Sequence, residues 1–149
     1  MNRPLSLFSL SALAILSACA TPRSATQLPQ IDPQLTAPVP AGLSRIIVYN
    51  SSNKMLSMDH SDRIHVVIDG REFGSLSQGE YATILLPLGR HDFALSRRAM
   101  ITYETEHPML IDRPTRWINI RSESAGNLLD ARDGPPADFA KRYHAIPVR

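Results

Sequence analysis

The stretch from Arg63 to Leu76 constrains the fold more than any other. Arg63-Ile64-His65-Val66-Val67-Ile68-Asp69 alternates, Asp69-Gly70 follows, and Glu72-Phe73-Gly74-Ser75-Leu76 resumes an extended pattern. Successive side chains of a strand point to opposite faces, so Ile64, Val66 and Ile68 share one face. Asp-Gly is well suited to the two positive-φ positions of a tight turn, so the segment is expected to form a β-hairpin.

Runs of the same kind recur on both sides of it. Arg45-Ile46-Ile47-Val48-Tyr49 is short and β-branched; Glu80-Tyr81-Ala82-Thr83-Ile84-Leu85-Leu86 opens after Gly79 and closes at Pro87-Leu88-Gly89. Arg90-His91-Asp92-Phe93-Ala94-Leu95-Ser96 alternates with His91, Phe93 and Leu95 on one side. Separate strands are expected near Ile101–Glu106 and Met109–Ile111, before Pro114. Thr115-Arg116-Trp117-Ile118-Asn119-Ile120-Arg121 then turns Ile118 and Ile120 inward. Many short strands at this spacing point to a mainly β chain folded as a single antiparallel β-sandwich.

The two ends read differently. After Gly134-Pro135-Pro136, Phe139 and Tyr143 lie four apart, as do Asp138 and Arg142, which fits a short C-terminal helix of two turns whose aromatics dock on the sheet. From Ala20 to Gly42 come Pro22, Pro29, Pro33, Pro38 and Pro40, a density that reads as a flexible N-terminal tether, with an irregular segment packed on the domain as the alternative. At ~3 Å per residue it reaches at most about 60 Å.

Residues 1–18 have the layout of a secretory signal: Arg3, an apolar run from Leu5 to Leu16, then small residues. A helix of about a dozen residues reaches about 18 Å, short of the roughly 30 Å hydrocarbon core. Leu16-Ser17-Ala18-Cys19 then resembles the lipobox of bacterial lipoproteins, and Cys19 is the only cysteine. The resemblance implies that Cys19 carries the lipid and becomes the mature N-terminus, with Leu16, Ser17 and Ala18 as recognition residues. The soft sulfur is the nucleophile that attacks the lipid donor, and at least two acyl chains would hold the protein durably in a bilayer. Ala20 in place of aspartate leans towards the outer membrane, facing the periplasm, with the inner membrane as the alternative. An ordinary leader cut nearby, with Cys19 as a stray thiol, is the competing reading.

The domain plan is therefore a signal peptide at 1–18, a lipidated cysteine and proline-rich tether at 19–42, and one β-sandwich at 43–149. The chain has 16 Lys and Arg against 14 Asp and Glu, and only Arg3 leaves with the leader. No dense basic run is present, so nucleic acid is not an expected partner. With Cys19 lipidated, stability is expected from packing without a disulfide.

Val67-Ile68-Asp69-Gly70, Gly74, Gly79-Glu80-Tyr81 and Leu86-Pro87-Leu88-Gly89-Arg90-His91 together resemble the lipoprotein family called domain of unknown function 2846, and the related PEGA surface domains. The resemblance spans 44–121 and implies a prealbumin-like or carboxypeptidase-regulatory-like sandwich, serving as a non-enzymatic envelope module. Its motif residues Asp69, Gly70, Gly74, Gly79 and Gly89 mark turns and strand ends and carry no chemistry. Here the turn reads Pro-Leu-Gly where the family has Pro-Gly.

Catalytic and metal motifs are not expected. His60, His65, His91, His107 and His144 show no metal-ligand spacing, HExxH and CxxC do not occur, and Gly74-Ser75-Leu76-Ser77-Gln78-Gly79 has the wrong spacing for a nucleophile elbow. No cofactor is expected. His91 reads either as a ligand or switch, or as a strand-end histidine that caps the core and bonds the turn. The connection from Asn50 to Asp62 is long enough for a binding loop, with Met55, Leu56, Met58, Asp59 and His60 as candidate partner contacts, or for a solvated mobile loop. Trp117 reads either as an interface aromatic or as core on a second face of its strand. The functional expectation is a non-catalytic binding or scaffolding module, lipid-anchored, with an envelope protein as partner. The alternatives are a structural subunit of a larger envelope or secretion assembly, and an envelope-polymer hydrolase, which would need His65, His91 and a carboxylate to converge in a cleft.

Overall fold

The computed structural model describes residues 33–53, 63–98, 102–124 and 126–147. They form two packed sheets. In chain order the elements are a helical turn α1 (Pro33–Thr36), strands β1 (Leu43–Asn50), β2 (Ile64–Ile68), β3 (Arg71–Leu76), β4 (Glu80–Pro87), β5 (Gly89–Arg98), β6 (Thr102–Ile111), β7 (Thr115–Glu123) and β8 (Gly126–Arg132), the helical turn α2 (Phe139–Arg142) and a last strand β9 (His144–Ala145). One sheet has the order β8-β7-β1-β4-β9 and the other β3-β2-β5-β6. The second is antiparallel throughout; in the first, β1 with β7 and β4 with β9 run parallel.

β1 is the centre of the five-stranded sheet and is buried on both faces from Ser44 to Asn50. Its β-branched run suits a strand with no solvent side. One face, with Ile46 and Val48, packs into the core between the sheets, where Ile64, Val66 and Ile68 of β2 meet Phe93 and Leu95 of β5 and Ile118 and Ile120 of β7. The alternation of β2 is reproduced residue for residue in its burial. Burial of each such side chain stabilises the fold by roughly 1.5–3 kcal/mol.

The other face of the five-stranded sheet builds a second, aromatic core. Ile47, Tyr49, Tyr81 and Trp117 are covered there by Phe139 and Tyr143 from the chain's end, with Leu35 of α1 packed against them. Trp117 thus belongs to the core on the second face of its strand. Phe139 sits 4.8 Å from Trp117, 4.9 Å from Tyr81 and 5.8 Å from Tyr49, the first and last edge-on. Arg45, also buried, donates to the carbonyls of Leu35 (2.7 Å) and Ala37, which draws the end of the proline-rich stretch onto the domain.

Two local expectations are revised. The strands expected near 101–106 and 109–111 are one continuous β6 running through Pro108. Asp92, opposite Pro108, turns both its N–H and its C=O towards Asp69, so this edge position needs no ladder donor and proline is tolerated. The C-terminal helix is one turn, not two. Tyr143 is already extended, and His144 and Ile146 donate to the carbonyls of Gly79 and Tyr81, so the sheet claims the chain. Asp138 pairs with Lys141 at 3.3 Å instead of Arg142, while Phe139 and Tyr143 still stack on the same surface.

Candidate functional site

The two long sides of the sandwich are finished differently. On the β6–β8 side the Asn127 amide donates to the carbonyls of Leu95 and Tyr103, and the Thr105 hydroxyl donates to the Asn127 carbonyl. These bonds lace the sheets together. On the other side the Asn50 amide joins the sheets by donating to the Leu76 carbonyl, and a cleft of about 550 Å3 is lined by residues of β3 and β4 with Ile146 and Pro147. That volume lies within the range of small-molecule sites.

Phe73, Leu76, Ala82 and Ile146 bring core side chains to the cleft, while Arg63, Glu72, Ser75 and Glu80 supply polar groups. Phe73 reaches inward because β3 carries a bulge: Val66 pairs with Gly74 and Val67 with Glu72, leaving Phe73 as the extra residue. The turn Ser77–Glu80 closes with the Glu80 N–H donating to the Ser77 carbonyl at 3.1 Å. Gly79 takes its third position at φ 78°, where turns of this kind favour glycine.

That turn fixes two opposite charges. The Ser77 N–H donates to Glu80 Oε2 at 2.7 Å, and Arg63 Nε donates to Ser77 Oγ at 3.3 Å. Among the described residues the two charges form no ion pair with each other. Glu80 is only 16% exposed, and its other oxygen, Oε1, lies 3.8 Å from His144 Nε2.

His65 Nδ1 lies 3.0 Å from Ser75 Oγ and 3.8 Å from Glu72 Oε1. A Ser–His–acid relay needs the serine and the carboxylate on opposite ring nitrogens. Here both meet the same nitrogen, so the trio cannot pass a proton from the hydroxyl through the ring. His91 joins a different carboxylate: Nδ1 lies 2.6 Å from Asp69 Oδ2, and Nε2 donates to the Pro87 carbonyl at 2.8 Å. His65 and His91 therefore do not share a site.

His91 is buried, at the inward start of β5. Burial pulls its pKa down, but the Asp69 hydrogen bond, the Pro87 carbonyl and the charges of Asp69 and Asp92 outweigh burial and raise it. Asp69 is held below the ordinary carboxylate value, first by the Asp92 N–H and then by His91. Asp69 and Gly70, both at positive φ, form the hairpin turn between β2 and β3, so the contact ties that turn to the one between β4 and β5.

Gly74 lines the cleft beside the bulge and Gly89 opens β5, both at positive φ. Cys19, its neighbours Leu16, Ser17 and Ala18, and the loop residues Met55, Leu56, Met58, Asp59 and His60 lie outside the described residues. The first residues of that loop are anchored: Asn50 donates to the Leu76 carbonyl and accepts from the Ser52 N–H. Among the described residues, no three His, Cys, Asp or Glu side chains gather as metal ligands, and no helix is long and apolar enough to cross a membrane.

The sequence reading had no means of singling out Arg63, Glu72 or Glu80 as cleft residues. The one local signal is Ser77-x-x-Glu80, a spacing known from helix capping that here closes a turn between strands. Comparison of the chain with family models, characterised proteins and solved structures finds no match.

Proposed function

We propose that this protein is a lipid-anchored, non-catalytic binding module of the cell envelope, held through Cys19 at the outer membrane and facing the periplasm, with the cleft between β3 and β4 as its contact surface. The observation that carries the binding reading is the cleft on this side of the sandwich, lined by core side chains together with Arg63 and Glu80, which both bond Ser77. The His65 geometry favours binding over hydrolysis. The leader and Leu16-Ser17-Ala18-Cys19 support the anchor, which would raise the effective concentration of the domain near envelope partners.

Fractionation of cells expressing the Cys19→Ser variant tests this. The variant should move to the soluble fraction with its domain still folded; retention in the membrane fraction refutes the anchor.

A second reading, a structural subunit of a larger envelope assembly, draws on the outer edge of β4. Among the described residues β9 pairs only with Glu80 and Tyr81, and the rest of that edge carries the uncharged run Ala82-Thr83-Ile84-Leu85-Leu86. Unpaired apolar edges invite strand addition from a partner. Crosslinking from the 50–62 loop should then give one dominant partner, and a spread of weak ones would count against it.

A further inference from the structure

We infer that the cleft between β3 and β4 takes a zwitterionic α-amino acid with an apolar side chain, its carboxylate on Arg63 and its ammonium on Glu80. This deepens the binding-module reading and rests on it.

Arg63 and Glu80 both bond Ser77, one through its hydroxyl and the other through its N–H, and both line the cleft, so one residue ties two opposite charges to the same site. Among the described residues only Nε of Arg63 is engaged, by Ser77, which leaves the planar end of the guanidinium for a carboxylate, its best-matched anion. Glu80 lines the cleft, and its Oε1 lies 3.8 Å from the His144 ring nitrogen without a hydrogen bond at that distance. Glu80 is mostly buried, so an ammonium placed there meets a less screened carboxylate than one on the surface would.

A ligand with only one charge would leave the other side unanswered. An α-amino acid offers both charges on a single carbon, matching two protein groups anchored to a single residue. Its side chain would then lie over Ile146 and Pro147, the accessible apolar residues of the lining. A phosphoethanolamine head group also bears adjacent opposite charges, but it has no apolar group for that surface.

The test is titration of the 15N-labelled full chain in detergent micelles with L-leucine, leucinamide, N-acetyl-leucine and O-phosphoethanolamine, followed through backbone amide shifts. Leucine should shift the amides of Ser75, Ser77, Glu80 and Ala82 and saturate with a Kd of order 1–10 mM, as expected for so small a ligand. Leucinamide, lacking the carboxylate, and N-acetyl-leucine, lacking the ammonium, should each bind at least about tenfold more weakly, the loss of one charge-assisted contact. Arg63→Gln should abolish the preference for leucine over leucinamide, and Glu80→Gln the preference over N-acetyl-leucine, with the rest of the spectrum unchanged.

Equal binding of all three leucine compounds, or binding of phosphoethanolamine without leucine, overturns the assignment. So does the absence of any shift in a protein that still crosslinks to an envelope partner, an outcome that would leave the binding module standing and remove only this ligand.

Discussion

Asp69 Oδ2 and His91 Nδ1 lie 2.6 Å apart, and they join two turns separated in the chain by β3 and β4. The other ring nitrogen donates to the Pro87 carbonyl at 2.8 Å. Both partners of the imidazole are acceptors, so only the imidazolium, with two N–H groups, satisfies them together. Asp69 is bound on three sides: Oδ1 accepts from the Asp92 N–H, Oδ2 meets His91, and its own N–H donates to the Asp92 carbonyl.

The contact makes stability depend on pH in two directions. His91 has a raised pKa, so its contribution is complete below the ordinary histidine value of 6.5 and is lost as pH rises through the folded value. Asp69 has a lowered pKa, so its contribution is present above the ordinary 3.8 and lost as pH falls through the folded value. The stability difference between the native protein and His91→Gln should therefore be greatest between these two ordinary values. Asp69 is 45% exposed and solvent screens the pair, so the maximum should be about 1–2 kcal/mol. Urea unfolding at pH 5 and pH 9 checks this; equal differences at the two would refute it.

The aromatic core allows a contrast between two of its rings. Tyr49 is 1% exposed and its hydroxyl has no hydrogen-bond partner among the described residues. Tyr49→Phe keeps the ring contacts and removes a buried polar atom, so it should be neutral to about 1 kcal/mol stabilising. Burial also raises the Tyr49 pKa, so the native fold should lose stability above the ordinary tyrosine value of 10, and the variant should lose less. Phe139→Ala, by contrast, removes the ring at the centre of the cluster and should cost about 3–5 kcal/mol. Trp117 emission should move to longer wavelength in that variant as its cover is lost.

Arg45 should govern how the N-terminal stretch sits on the domain. It is 6% exposed, and it reaches the carbonyls of Leu35 and Ala37. Arg45→Met keeps much of the side-chain volume and removes the donors. Amides from Gln34 to Gly42 should then exchange faster, and limited proteolysis should cut ahead of Leu43 sooner, with a global cost of about 1–3 kcal/mol. Unchanged exchange in this stretch would show that Leu35 packing alone holds it.

Gly79 combines φ 78° with a tight environment: a Cβ added there would lie 3.3 Å from the Arg142 carbonyl oxygen. Gly79→Ala should cost about 1–3 kcal/mol and should loosen β9, because the backbone of residue 79 also accepts from the His144 N–H. A lowered urea midpoint with faster exchange at His144 and Ile146 is the expected result.

Much of the fold was legible because several strands have one face in the core and one towards solvent. β2 shows this in Ile64, Val66 and Ile68, and Asp69-Gly70 marks the turn that follows. β8 escaped because Gly-Asn-Leu-Leu-Asp-Ala-Arg does not alternate, and β9 because two residues hold no period. The helical pattern at the end was overridden by the hydrogen bonds that pull Tyr143 and His144 along β4. The cleft was illegible for a different reason. Arg63 and Glu80 are ordinary polar residues in sequence, and only the meeting of each with Ser77 gives them a common purpose.

The second core draws its rings from β1, β4, β7 and the last turn of the chain, so Phe139 and Tyr143 are needed to roof what the earlier strands began. A polypeptide emerging from its N-terminus cannot finish that layer until Phe139 and Tyr143 have been synthesised. Under the export proposed above, in which the chain crosses a membrane unfolded, such late completion would guard against premature collapse and leave the final folding step to the far side.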